Sequence, residues 1–267
     1  MPALCSFDCL DQSEVTSKFP HPFVARPRLP HGFGLLDVDK NPRTVVKSMI
    51  PFFTNDWASC QFIAWAGSKL HRGIDNVFAL APCDLDFLTG EHMRYLSQDP
   101  SSPASVRINF SRPFVTPPKV VVFFNRIEFD SDRNSRVVTT ASDIDANGFT
   151  LRIETWSDTI LCCAQTCWIA YPEDRGQIFS TSVSTLDIRP WNQPQHEHSQ
   201  EILFNSLEFL KKPSVFIALN YLDIDCKANL RVKAYVDGVT TTRLSWHIDS
   251  WHDTVLYAAG ASIIAFT

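Results

Sequence analysis

Hydrophobic and polar positions alternate with a period of two along much of the chain. Phe149, Leu151 and Ile153 are interleaved with Thr150 and Arg152, and Leu244, Trp246 and Ile248 run on to Asp249. Successive side chains of a strand point to opposite faces, so each run predicts a strand with one buried face and one solvated face. The dipeptides Asn147-Gly148 and Asp237-Gly238 break the runs at short intervals, and no stretch carries a helical period. Short strands without helices predict an antiparallel sandwich, two sheets joined through their inner faces.

The pattern also repeats. Aligning the chain on itself matches residues from Pro118 onward with residues from Pro213 onward without a gap: Asn125 and Asn220 each lie seven residues on, Asn134 and Asn229 nine further, Trp156 and Trp251 another 22. A divergent copy precedes them, in which Pro30 to Asp37 is again seven residues. Trp65, Trp156 and Trp251 are each followed five positions later by leucine (Leu70, Leu161, Leu256). One small domain per repeat follows, with expected bounds of 1–95, 96–175 and 176–267 and expected linkers at 96–103 and 191–198.

Composition narrows the partners. A net charge of -5 and the lack of any basic run exclude a nucleic-acid backbone. No stretch approaches the roughly 20 apolar residues of a membrane helix, and the acidic start does not fit a secretory signal. The expectation is a cytoplasmic protein without a signal peptide, its eight cysteines mostly reduced core thiols. Cys5 and Cys9 are the expected exceptions, in an exposed N-terminal tail. No nucleophile elbow, P-loop, dinucleotide fingerprint or HExxH is present, so no enzyme, metal or cofactor is expected. His196, Glu197 and His198 are expected as solvated linker residues. Asp223 and Asp225 are expected on a solvated strand face.

The second and third copies resemble the H-type lectin domain, the fold of snail agglutinins and discoidin C-terminal domains. The residues that carry this are Phe110, Phe114, Pro117, Pro118, Val120 and Val121, the Asn-x-Arg-Val segments, and Trp-x-Asp-Thr-x-Leu leading into Trp-Ile-Ala-Tyr. The resemblance implies an all-β fold of three tandem six-stranded antiparallel sandwiches, and sites for N-acetylgalactosamine or galactose at edges between neighbouring copies. Its sugar-contacting residues fall on Arg231, Trp251, His252 and Tyr257 in the third copy. In the second they fall on Arg136 and Trp156, with Ser157 and Cys162 at the His and Tyr positions. In the first they fall on Arg43, Trp65 and His71, with Ala66 at the His position. Asp187 is a loose candidate for the family's acidic loop residue.

Three copies in one chain then suggest an intramolecular pseudo-trimer, a monomer that binds glycans bearing terminal galactose or N-acetylgalactosamine. The chemistry suits a sugar, since arginine offers a rigid fork of donors, histidine a donor and an acceptor, and tyrosine an apolar body with a hydroxyl. The alternative is a protein-interaction scaffold with degenerate sites, suggested by Ser157, Cys162 and Ala66. The other readings of the single residues are a core role for the tryptophans and a solvated surface charge for Arg231. Asp253 and Asp158 would then be turn residues.

Overall fold

A computed structural model describes residues 2–40, 43–96, 102–130, 132–204 and 208–267. The first copy comprises β1 (Ala3–Leu10), β2 (Glu14–Lys18), β3 (His31–Val38), β4 (Arg43–Met49), β5 (Trp57–Ala64) and β6 (Leu70–Ala79). The second comprises β7 (Leu88–Tyr95), β8 (Ser105–Asn109), β9 (Lys119–Asp130), β10 (Ser135–Asp145), β11 (Gly148–Glu154) and β12 (Leu161–Tyr171). The third comprises β13 (Ile178–Ser184), β14 (Ser199–Leu203), β15 (Ser214–Ile224), β16 (Leu230–Asp237), β17 (Arg243–Asp249) and β18 (Leu256–Phe266), with one 3-10 turn at Thr185–Asp187.

Among the described residues the strands form three six-stranded sheets, and every sheet is shared by two copies. The orders are β1-β6-β3-β16-β17-β14, β13-β18-β15-β10-β11-β8 and β2-β5-β4-β9-β12-β7. The first, third and sixth strands of each copy therefore lie in one sheet and its second, fourth and fifth in another, and the copies lock in a cycle. Third-copy β16 pairs with first-copy β3, second-copy β10 with third-copy β15, and first-copy β4 with second-copy β9. This is the expected pseudo-trimer, closed by backbone hydrogen bonds as well as by side-chain packing. Each copy's two half-sheets bury their alternating apolar positions against each other, as Phe149, Leu151 and Trp168 do in the second copy.

A further apolar cluster, which includes Phe78, Phe123, Phe216, Ala218 and Ile264, joins all three copies. Gly32, Phe123 and Ala218 are equivalent there, lying opposite Asn76, Cys167 and Ser262 in register. A Cβ on Gly32 would stand 2.5 Å from the Phe123 ring and 3.0 Å from the Ala218 Cβ. One large, one small and one absent side chain share the space, an arrangement that identical subunits cannot make.

The pairing revises several expectations. Residue 191–198 lie between β13 and β14, inside the third copy, and 96–103, of which 97–101 are outside the described residues, fall between β7 and β8. Connections between copies run instead through 80–87 and 172–177. β7 precedes the boundary expected at 96 and pairs with second-copy β12. The N-terminal segment is no tail: β1 pairs with β6 along its length, and Cys5 and Cys9 are buried. His198 is buried rather than solvated, held by the Arg189 guanidinium at 2.7 Å and the Ile248 carbonyl at 2.8 Å. Equivalent bulges fall at Gly34, Asn125 and Asn220, so Asn125 corresponds to Gly34 and not to Asp37.

Candidate functional site

The recurring tryptophan opens a tight turn, not a strand. Trp65, Trp156 and Trp251 precede Ala66, Ser157 and His252, all with φ between 56° and 58°. That left-handed conformation is uncommon for residues with a side chain. Each turn closes on a hydroxyl residue, whose side chain donates to the carbonyl at the start of the neighbouring strand: Ser68 to Arg43 (2.6 Å), Thr159 to Asn134 (2.6 Å), Thr254 to Asn229 (2.7 Å). The turn is thereby tied to the strand that crosses to the next copy, and the tryptophan sits at that junction.

The second–third junction forms a cleft of about 430 Å³ lined by Arg136, Trp156 and Ser157 of the second copy and by Tyr221, Asp223 and Tyr257 of the third. Arg136 bonds Asp158 at 2.7 Å and approaches Asp223 across the junction at 3.3 Å. One Asp223 carboxylate oxygen has that ionic contact but no hydrogen bond. Burial raises the Asp223 pKa, with Arg136 acting against it, whereas the exposed Asp158 is lowered by its bond to Arg136. Trp156 and Tyr221 rings stand 5.6 Å apart, and the Tyr257 hydroxyl donates to Asp225 at 2.9 Å. Burial pushes the Tyr221 hydroxyl up to about 12.

A loop unique in length to the third copy completes this cleft. Its Leu186 and Trp191 line the cleft, with Trp191 edge-on to Tyr257 at 6.2 Å. Arg189 fixes the loop by donating to the carbonyls of Leu256 (2.8 Å) and Tyr257 (2.9 Å).

The third–first junction repeats the plan with other residues. Arg231 bonds Asp253 at 2.6 Å and approaches first-copy Asp37 at 3.4 Å. First-copy His71, at the position of Tyr257, bonds Asp39, which also accepts from Asn229 at 3.0 Å. Trp251 is partly exposed and His252 exposed beside them. The Asn229 amide oxygen accepts from the Lys40 backbone N–H at 2.8 Å, as that of Asn134 does from Cys226 at 3.1 Å, so each asparagine clasps the neighbouring copy.

At the first–second junction the plan is altered. Register places Val45, opposite Glu128, where Arg136 faces Asp223 and Arg231 faces Asp37; Arg43 sits two residues earlier, at the asparagine position. Gly67 stands where the other turns have aspartate. Second-copy Arg126 lies over the Trp65 ring at 5.0 Å and over Tyr95 at 5.5 Å, with its charge met by Glu128 at 2.6 Å. Its guanidinium takes the position that Tyr221 holds at the second–third junction.

The structure thus brings the expected residues together in a different grouping. Tyr257 joins Arg136 and Trp156, and His71 joins Arg231, Trp251 and His252. Arg231 is a largely buried ion-pair partner, not a solvated charge, and Asp253 and Asp158 are arginine partners. Asp223 and Asp225 are buried, since the strand face that the pattern marks as outer is covered by the next copy. Asp187 accepts from the Ser184 backbone N–H at 2.9 Å at the end of β13. Sequence reading missed Tyr221, Asp223, Leu186 and Trp191. The repeat itself carried a signal for Tyr221, which follows the recurring Asn220 directly, but Trp191 had none.

Among known proteins, the family model described as the H-type lectin domain matches residues 105–171 and 199–266. Two solved structures of discoidin II from Dictyostelium discoideum are similar. The native recombinant protein is 15% identical with a TM-score of 0.29, over 67% of this chain and 96% of that one. The wild-type protein is 14% identical with a TM-score of 0.29, over 67% and 95%. Curated protein sequences give no match.

Proposed function

Because the chain belongs to the H-type lectin domain family and is a carbohydrate-binding lectin, we propose that it binds galactose-type sugars, N-acetylgalactosamine foremost, at junctions between its copies. The observation that carries this reading is the second–third cleft, where one arginine stands between two carboxylates and beside aromatic side chains from both copies. A pyranose presents hydroxyls around its edge and a patch of C–H on one face. Arg136 supplies donors and the Tyr257 hydroxyl both roles, while Trp156, Tyr221 and Trp191 supply flat apolar surface for the C–H patch.

Within this reading the three junctions are unequal. The second–third junction binds best. The third–first junction is a second site, built on Arg231, Trp251, His252 and His71. The first–second junction does not bind, since Val45 removes the arginine and Arg126 covers Trp65. The chain binds rather than catalyses, and acts as a monomer.

A glycan array probed with wild type, Arg136→Ala, Arg231→Ala and the double variant tests this. Wild type should bind galactose-terminated glycans, Arg136→Ala should lose most of the signal, and the double variant all of it. A folded double variant with undiminished signal would sink the assignment and favour the scaffold reading.

A further inference from the structure

A second groove adjoins the second–third cleft. It measures about 460 Å³ and runs between second-copy β9 and β10 and third-copy β13, with Thr139, Thr140, Ser180 and Ser182 among the residues around it and Val120 and Val122 of β9 also lining it. Tyr221 lines both spaces, and the 3-10 turn divides them: Leu186 borders the cleft and the next residue, Asp187, borders the groove. That turn is held in place by Ser184, whose hydroxyl accepts from the Leu186 N–H at 3.1 Å. Cleft and groove are therefore neighbouring stretches of one trough along the junction.

Two small residues border the trough here, of which Gly260 differs from its counterparts at both other junctions and Ser182 from that at the first–second junction alone. Gly260 lies opposite Tyr221 in register, as Gln165 lies opposite Arg126 and Ile74 opposite Leu35. Ser182 lies opposite Ser262, as Glu91 lies opposite Cys167 and Ser6 opposite Asn76. At the first–second junction the Gln165 side chain reaches Glu91 and bonds it. At the second–third junction glycine is required, since a Cβ would stand 2.9 Å from both the Asn220 side-chain oxygen and the Val183 carbonyl. The junction that gained Trp191 over its cleft is thus also the one whose adjoining groove is cleared.

We propose that this trough takes an oligosaccharide: the terminal sugar occupies the cleft and the following residues of a neutral glycan chain lie in the hydroxyl-lined groove. The inference rests on the lectin reading and adds the length of the ligand. A run of five strand residues, Ser180 to Ser184, spans about 13 Å, more than one pyranose ring covers. Its lining suits uncharged polyol, with serine and threonine hydroxyls that donate and accept and valine side chains for C–H faces. The fixed charges are confined to its borders, Asp187 at the end of the 3-10 turn and Lys119, ion-paired to Glu173 at 2.7 Å, on β9. A polyanionic chain has no matching row of cations.

Calorimetric titration of the full chain with N-acetylgalactosamine, and with di- and trisaccharides of varied linkage that end in it, tests the proposal. At least one oligosaccharide should bind wild type about tenfold or more tighter than the monosaccharide. Thr140→Trp, at an exposed position on β10, should keep the monosaccharide affinity and lose that excess. Ser182→Trp, which fills the groove from the other wall, should do the same. Equal affinity for mono- and oligosaccharides in wild type, or an excess that survives Thr140→Trp, would overturn the extended site while leaving the lectin reading intact. Binding of no sugar by wild type would overturn both.

Discussion

At the residue level the decisive contact is the one that crosses between copies. Tyr257 follows Trp251 by six residues, which on sequence alone puts both in one site with Arg231. In the fold, the tyrosine begins the strand that leads away from the turn and faces the other junction, where it meets Arg136. A double-mutant cycle should therefore show coupling of about 0.5–3 kcal/mol in sugar affinity between Tyr257→Phe and Arg136→Lys, and additivity between Tyr257→Phe and Arg231→Lys, because coupling fades beyond 7–10 Å. Calorimetry on the four variants of each cycle checks it, and coupling with Arg231 in place of Arg136 would contradict the regrouping.

A second residue-scale feature lies away from the clefts. His31 is buried at the meeting of the first and second copies, 2.8 Å from the fully buried Asp75, with Ser48 and Asn125 at 3.3 and 3.5 Å. Burial works against the imidazolium, but the Asp75 carboxylate outweighs it and raises the His31 pKa above 6.5. A raised folded pKa means that protonation stabilises the fold; the contribution is complete below the unfolded value near 6.5 and is lost as pH rises through the folded value. Relative to a His31→Gln, Asp75→Asn variant, wild type should hold its greatest advantage in Tm near pH 5.5 and a smaller one at pH 8.5. An advantage that grows with pH would show that the pair is not charged. Asp75→Asn alone should cost about 3–5 kcal/mol at acid pH, where it strands a buried cation.

At the level of elements, the strands were legible because alternation and turn dipeptides survive in the sequence, and the three copies because Trp-to-Leu spacing did. Two things were not legible. Alternation marks Asp223 as facing outward, and it does face away from its own sandwich, but onto the next copy. The first copy also carries its proline four residues before the bulge instead of seven, so counting from Pro30 lands on Asp37 rather than on Gly34 and makes Arg43 look like the site arginine, although the stretch from bulge to tryptophan is 31 residues in every copy. Only strand register shows Val45 in that place. The loop that carries Trp191 resembled a linker because it is rich in proline and polar residues, yet Arg189 and His198 fix both its ends. Arg189→Ala removes the bonds to the Leu256 and Tyr257 carbonyls and to His198 and should loosen the loop, weakening sugar binding with little change in the far-ultraviolet circular dichroism. Unchanged affinity would take Trp191 out of the site.

For the whole molecule, shared sheets mean that no copy is complete alone. Removing the third copy would leave β3 and β10 as new edges with unpaired backbone groups, a state prone to aggregation. The chain should unfold in one cooperative step and sediment with the mass of one chain. Two separated thermal transitions would contradict the interlocked sheets. The inequality of Gly32, Phe123 and Ala218 at the centre, and of Arg136, Arg231 and Val45 at the junctions, follows from the same covalent linkage, since each copy meets fixed neighbours and can specialise.

That inequality makes the central claim countable. Calorimetric titration of the chain with N-acetylgalactosamine should give fewer than three sites per chain, the tightest of them lost in Arg136→Ala and retained in Arg43→Ala. Three equal sites, or a tightest site that survives Arg136→Ala, would contradict the account.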